Sequence, residues 1–165
     1  MTMRGEAGAS RSLLVCRAGA KLCALPLTQL LETMRPLLTE PLAGTADFVA
    51  GVASIRGRPT PVVDARKLLG SASETAPGRY VTLDLTSNSG KARVLALAVD
   101  EVIGVRVVAV HLLDDVPDLL RARSPERDVI DAVATFDAEL LLVLQQARLF
   151  PEELWQRLEQ EAQLA

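Results

Sequence analysis

Residues 47–70 read DFVAGVASIRGRPTPVVDARKLLG, and this stretch decides how the rest of the chain is parsed. Phe48–Ile55 is an apolar run of strand length, with Val49, Gly51, Ala53 and Ile55 on one face. Ala50, Val52, Ser54 and Arg56 fall on the other, so both faces are expected to be covered, and Arg56 must reach solvent or a partner. Arg56-Gly57-Arg58-Pro59 is a turn. In the strand that follows, Pro59 and Pro61 lose their donors on the same lateral edge, which marks a sheet rim. Asp64 is placed to cap a helical turn over Ala65–Leu69, and Gly70 to end it.

Bulk properties bound the reading. A chain of 165 residues, 49% apolar and 24% charged, holds one globular domain or two small subdomains sharing a core. A net charge of −3, with fifteen arginines against three lysines, supplies no general attraction to nucleic acid or an anionic membrane. Aromatic residues are only 3%, too few for base-stacking platforms. The densest apolar run, Leu140–Leu144, falls far short of the roughly 18 residues that a membrane span needs. The start MTMRGEAGASR carries no apolar signal core. These features predict a cytoplasmic protein with no nucleic-acid partner and no direct membrane insertion.

In order, residues 1–11 read as a loose tail. Leu13–Ala18 and Lys21–Leu27 form a hairpin about Gly19-Ala20, which places Cys16 opposite Cys23. In a reducing compartment these two thiols act as small buried hydrophobes beside Leu14, Leu25 and Leu27. Leu30–Arg35 is a third strand and Pro36–Ala46 a loop. Ser71–Gly78 is a linker by composition. Tyr80–Leu85, Ala92–Val99 and Val102–Val110 are strands, with a turn at Ser87–Lys91. Leu112–Pro125 is a surface excursion. Val129–Phe136 and Glu139–Gln145 form a last pair of strands. Pro151–Ala165 closes the chain as a helix with Leu154, Trp155, Leu158 and Ala162 on one face.

That order hides a repeat. Asp128–Phe150 lies under Asp47–Leu69 without a gap, matching Asp47 with Asp128, Val52 with Val133, Ala53 with Ala134, Val62 with Val143 and Leu68 with Leu149. Ala24–Leu31 matches Ala96–Ile103 in the same way. The pattern predicts two copies of one five-strand unit, and short strands with regular turn signals suggest small closed barrels. The expected fold is all-β: two five-stranded SH3-like barrels sharing a core, subdomain one at about 12–70 and subdomain two at about 79–150. The second copy has Asp137-Ala138-Glu139-Leu140 where the first has Arg56-Gly57-Arg58-Pro59. An element that only maintains the fold should persist in both copies, so the arginine turn reads as an addition for recognition.

Catalytic groupings are not apparent. His111 is the single histidine and stands at a strand end, no G-x-S-x-G elbow occurs, and Asp100-Glu101 and Asp114-Asp115 are adjacent carboxylates that would point to opposite faces of a strand. Two cysteines and one distant histidine lack metal-ligand spacing. The inventory favours a binding module without metal, cofactor or catalytic residue.

The motifs together resemble the CheW family of chemotaxis coupling proteins, over roughly Leu13 to Phe150. Gly51-Val52-Ala53-Ser54-Ile55-Arg56-Gly57 is similar to the family's G-V-x-N-L-R-G, Pro61-Val62-Val63-Asp64-Ala65-Arg66 to P-V-v-D-L-R, and Ala96–Gly104 to G-l-v-V-D-e-V-x-G. Ser54, Thr33 and Ala65 depart from that pattern. The resemblance implies paired SH3-like barrels and a non-enzymatic adaptor. Such an adaptor bridges a CheA-type histidine kinase, through its CheW-like regulatory domain, and the cytoplasmic tip of a chemoreceptor. It also implies partner contact at Arg56 with its neighbours Gly57 and Arg58, an acidic position at Glu32, a first-barrel contact surface at Leu27, Leu30 and Gly51, and positions near the receptor groove at Tyr80 and Val81. Two other classes stay open: a small-molecule sensor using a groove between barrels, and a regulator within an oligomer that uses the Trp155 face, in pilus-based motility for example.

Overall fold

The computed structural model describes residues 8–71, 75–86, 90–121 and 128–164. The earliest part of the predicted tail, the middle of the 71–78 linker, the turn at 87–89 and the basic end of the Leu112–Pro125 excursion lie outside them. Among the described residues eleven strands follow in order: β1 (Ser10–Ala18), β2 (Lys21–Pro26), β3 (Leu30–Met34), β4 (Thr39–Glu40), β5 (Val49–Ile55), β6 (Arg58–Asp64), β7 (Arg79–Asp84), β8 (Val94–Val99), β9 (Glu101–Ala109), β10 (Ile130–Phe136) and β11 (Glu139–Leu144). A short helix, Ala65–Leu68, follows β6, and a C-terminal helix spans Glu152–Leu164.

The repeat predicted from sequence holds in detail. β5 and β10 begin and end at matched positions. Their turns take the same left-handed backbone, Arg56 (φ 50°) and Gly57 (φ 74°) in the first copy, Asp137 (φ 47°) and Ala138 (φ 65°) in the second. A pair of left-handed residues matches the right-handed twist of the flanking strands. Even the irregularities repeat: the β5–β6 ladder slips between Val49 and Gly51, and the β10–β11 ladder slips between the matching Ile130 and Ala132.

The linker separates the copies along the chain but does not separate the sheets. One sheet runs β10-β11-β2-β1-β9 and the other β3-β7-β8-β6-β5-β4. Each copy therefore lends its first hairpin, β1–β2 or β7–β8, to the sheet built from the other copy's remaining strands. The two joints are parallel ladders in matching register, with Val143 beside Ala24 and Val62 beside Ala96. The other pairings are antiparallel.

Strand alternation distributes the core. In β8, Leu95, Leu97 and Val99 enter a large cluster shared by both sheets, while Ala96 and Ala98 enter a smaller cluster with Ile55, Val62 and Tyr80. In β2, Cys23 and Leu25 enter the shared cluster, while Leu22 and Ala24 pack with Leu141 and Val143. Strands buried on both faces need continuous apolar runs such as VLALAV. Cys16 and Cys23 are opposed, free and fully buried as expected. Burial pushes the Cys16 thiol up to about 12 and the Cys23 thiol well above its ordinary value.

Four expectations are corrected. The segment Pro36–Ala46 is not all loop, because Thr39 and Glu40 pair with Ala53 and Val52 and give the second sheet a sixth strand. The end of the supposed tail belongs to β1, since Ser10 pairs with Ala109 and Arg11 with Val108. The outward face of β5 is only partly covered: Ala50 and Val52 are half-buried and Ser54 is exposed. The proline-bearing β6 lies within the sheet, between β8 and β5, yet β8 pairs with it only from Val62 onward. The prolines thus sit on a free edge inside an otherwise paired strand.

A buried ion cluster ties the exchanged hairpin to the other sheet. Arg66, only 3% exposed, donates to Asp64 at 3.2 Å and to Asp100 at 3.2 Å, and to the Thr75 carbonyl at 2.7 Å. Asp64 also caps the short helix by accepting from the Arg66 amide at 3.0 Å. Asp100 in turn accepts from the amide of Gly19, at the tip of the β1–β2 hairpin, at 2.5 Å, and the Lys21 ammonium donates to the Leu69 carbonyl. Replacing Arg66 by alanine leaves two carboxylates without their cation, so Arg66→Ala should lower the urea unfolding free energy by about 3–5 kcal/mol. Gly51 has φ 141°, and a Cβ there would stand 1.9 Å from the Glu40 carbonyl oxygen. Gly51→Ala should therefore cost about 2–4 kcal/mol in the same measurement, through strain and loss of the β4 pairing.

Candidate partner-binding groove

The free edge of β6 and the partly covered face of β5 open onto a groove of about 790 Å³. Leu31, Val52, Pro59 and Pro61 form its floor and one wall, and Trp155 and Leu158 of the C-terminal helix form the other. The floor is apolar because prolines without donors need no ladder partner there.

The charged rim comes from the β5–β6 turn. The Arg56 Nε donates to Glu32 Oε1 at 2.8 Å and its Nη2 to Glu32 Oε2 at 2.7 Å, a parallel fork that fixes the guanidinium plane. Arg56 nevertheless stays 75% exposed. The hydrogen bond from Arg56 holds the Glu32 carboxyl below its ordinary range, against an opposing desolvation and with help from the Arg56 charge. Glu32 is set in place by β3, whose backbone there both donates to and accepts from the Thr82 hydroxyl at 3.2 Å. A slip in the β3–β7 ladder between Leu30 and Glu32 turns Leu31 outward, where it is 52% exposed. Arg58 stands two residues along from Arg56, exposed on the same rim.

The structure brings Glu32, Arg56 and Arg58 together around one groove. It does not bring the remaining sequence candidates to that surface. Gly57 is exposed at the turn tip. Leu27 and Leu30 are half-buried against the shared core. Gly51 is buried under Glu40. Val81 is buried in the shared core and Tyr80 in the smaller cluster, its hydroxyl 2.7 Å from that of Thr39.

Sequence reasoning missed Arg93, which holds the helical wall. It is 5% exposed, donates to Glu152 at 2.8 and 2.9 Å and to Glu159 at 2.7 Å, and lies 5.2 Å from the Trp155 ring centre. Trp155 meets Phe150 edge-on at 5.0 Å, and Arg157 donates to the Ala43 carbonyl at 2.9 Å. The side chain of Ala162, assigned to the same helix face, lies outside the described residues. The only sequence signal for Arg93 was the spacing of Glu152 and Glu159 on one helix face, which does not name its partner. Among the described residues no group of three or more His, Cys, Asp or Glu is placed to hold a metal ion, and no helix is long and apolar enough to cross a membrane. The groove can hold an apolar segment against its floor and fix it by charge-assisted hydrogen bonds at the rim.

Two exchanged β sheets with this groove define a two-subdomain β module. The CheW-like domain matches residues 12–154, and the chain belongs to the CheW-like family, the adaptor proteins of chemotaxis signalling. The fold is similar to the crystal structure of the scaffolding protein TtCheW from Thermoanaerobacter tengcongensis. That match has a TM-score of 0.67 at 17% identity and covers 82% of this chain and 89% of that one. A search of curated proteins finds no match.

Arg93 depresses both Glu152 and Glu159, chiefly through hydrogen bonds to their carboxylates. Folded-state values below the unfolded ones mean that the helix contact is at full strength above the usual carboxylate range, about pH 4.3. It is lost as pH falls through the depressed values. Trp155 is the single tryptophan, so its emission should shift to the red in that acid range, before far-UV circular dichroism reports loss of the sheets. Arg93→Ala should show the same red shift at neutral pH.

Proposed function

We propose that this protein is a non-enzymatic cytoplasmic adaptor that couples chemoreceptors to a CheA-type histidine kinase. Family membership supports the adaptor class. The observation that carries the residue assignment is the exposed Arg56, held rigid by Glu32 on the rim of an apolar groove. A guanidinium fixed before binding gives up little rotamer freedom when a partner carboxylate or carbonyl arrives. The CheW-like regulatory domain of the kinase is the partner assigned to this first-copy surface, and the receptor's cytoplasmic tip is assigned to the neighbourhood of β7, where Tyr80 and Val81 shape the surface from below.

The groove volume also lies in the range of small-molecule sites, which keeps a second reading in view. A metabolite that raised the melting temperature in a saturable way would favour a sensor.

The two readings separate with one variant. Arg56→Asp should weaken binding to the kinase or receptor partner by about tenfold or more, read by titration calorimetry. Because exposed ion pairs are worth about 0–1 kcal/mol, its melting temperature should change by only a few degrees at most. Unaltered partner affinity would remove the site assignment.

A further inference from the structure

The C-terminal helix belongs to neither sheet, and side chains hold it in place. Over Glu152–Glu161 only Trp155 is buried, while Leu154, Arg157, Leu158 and Glu159 are half-buried. Much of the remaining grip is polar. Arg93 donates to both oxygens of Glu152 at 2.8 and 2.9 Å and to Glu159 at 2.7 Å, and Lys91 donates to Glu159 at 3.2 Å. Arg157 adds a bond to the Ala43 carbonyl at 2.9 Å. Glu152 and Glu159 stand two turns apart on one helix face with Trp155 between them. The seat around Arg93 therefore reads a helix that presents a carboxylate, an indole and a second carboxylate in that order. Removing the helix would leave a guanidinium only 5% exposed without its two carboxylates. The freed helix, 13 residues long, would be marginal alone in water. Seat and helix thus each require the other.

Nothing requires that they come from the same molecule. Leu149 and Phe150 are anchored in the shared core, and the helix begins at Glu152, so Pro151 is the whole connection. Proline has no amide to tie the joint back to the fold, and a hinge this short favours exchange of the element beyond it. The Trp155 face, 6% exposed, meets another molecule only when the helix leaves its seat. We infer that the C-terminal helix is exchanged between two copies of this chain, each inserting Glu152, Trp155 and Glu159 into the seat around the other's Arg93. The exchange is reciprocal, so the dimer is two-fold symmetric and closed. The exchanged contacts repeat those within one chain, and the two forms differ mainly in the tether. A tethered helix is present at high effective concentration, so the monomer leads in dilute solution and the dimer forms slowly as concentration rises. In the dimer the Trp155 and Leu158 wall of each groove comes from the second copy. Neither kinase nor receptor is needed, so the exchange stands or falls apart from the adaptor reading.

Two full-length variants test it by complementation. Arg93→Ala spoils the seat and keeps the helix intact. Glu152→Gln combined with Glu159→Gln spoils the helix and keeps the seat intact. Each weakens closure within its own chain, and neither alone can rebuild the full contact with a second copy of itself. In sedimentation velocity each variant alone should remain mostly monomeric at about 50 µM. An equimolar mixture, incubated overnight because exchange requires opening, should move towards twice the monomer mass. Its apparent association should be about tenfold stronger than that of either variant alone, because the intact helix of one chain finds the intact seat of the other. Trp155 supplies a second readout. With Trp155→Phe added to the double variant, the remaining indole belongs to the Arg93→Ala chain, and its red-shifted emission should return towards the blue on mixing. Should Arg93→Ala lose its sheets by circular dichroism, Arg93→Gln serves the same role with a smaller cavity. A mixture that stays monomeric with no return of emission overturns the proposal, whatever Arg56→Asp then does to kinase binding. Association no stronger in the mixture than in either variant alone also overturns it, since exposed apolar surface would then suffice.

Discussion

The structure depends on two short parallel ladders, β11 beside β2 and β6 beside β8. Each is the seam at which a hairpin from one copy completes the sheet of the other. Neither copy can close its own apolar faces, since the strands that would cover them lie elsewhere in the chain. The seams are accordingly buried: Val62, Val63, Ala24, Val143, Ala96 and Leu97 have no exposed surface. A reciprocal exchange of this kind makes the two halves one cooperative unit, because unpairing either hairpin exposes both sheets.

The Arg66 cluster belongs to the same logic. It is the polar counterpart of the seams, joining the end of β6, the tip of the exchanged β1–β2 hairpin and the turn after β8. The second copy does not repeat it, having Gln145 and Ala147 where the first has Asp64 and Arg66. In place of that cluster, Gln146 is buried and donates to the Pro26 carbonyl at 2.8 Å. Here the asymmetry is one of charge on a duplicated backbone, and the turns show it again. The groove adds an architectural difference, since the second sheet carries β4 as a sixth strand and the C-terminal helix, held by Arg93, forms one wall.

Much of this was legible. The hairpin about Gly19-Ala20, the opposed cysteines, the Asp64 cap and the equivalence of the β5–β6 and β10–β11 turns are local or periodic features, and each is written in residues close along the chain. The CheW-like motifs lie in the same stretches. Arg56 was singled out because the second copy lacks it, and Glu32 through resemblance alone. Their two-pronged pairing was not readable, since they stand 24 positions apart in the sequence and only the β3 slip points Glu32 toward the turn. Tyr80 and Val81, placed near the receptor groove by resemblance, are buried in the core. Arg93 escaped notice because a single arginine before a strand is ordinary until a distant helix supplies two carboxylates and an indole.

The sequence by itself determined most of the strands, their turns, the duplication and the charge that distinguishes one turn from its twin, because all of these follow from side-chain period and backbone preference over a few residues. Only the tertiary structure decided which hairpin completes which sheet, because matched apolar patterns make strands from either copy equally suitable neighbours. It also decided that Arg56, Glu32 and the Arg93-held helix surround one groove. Those groups lie far apart in the chain, and they meet only through long-range packing, which no local preference encodes.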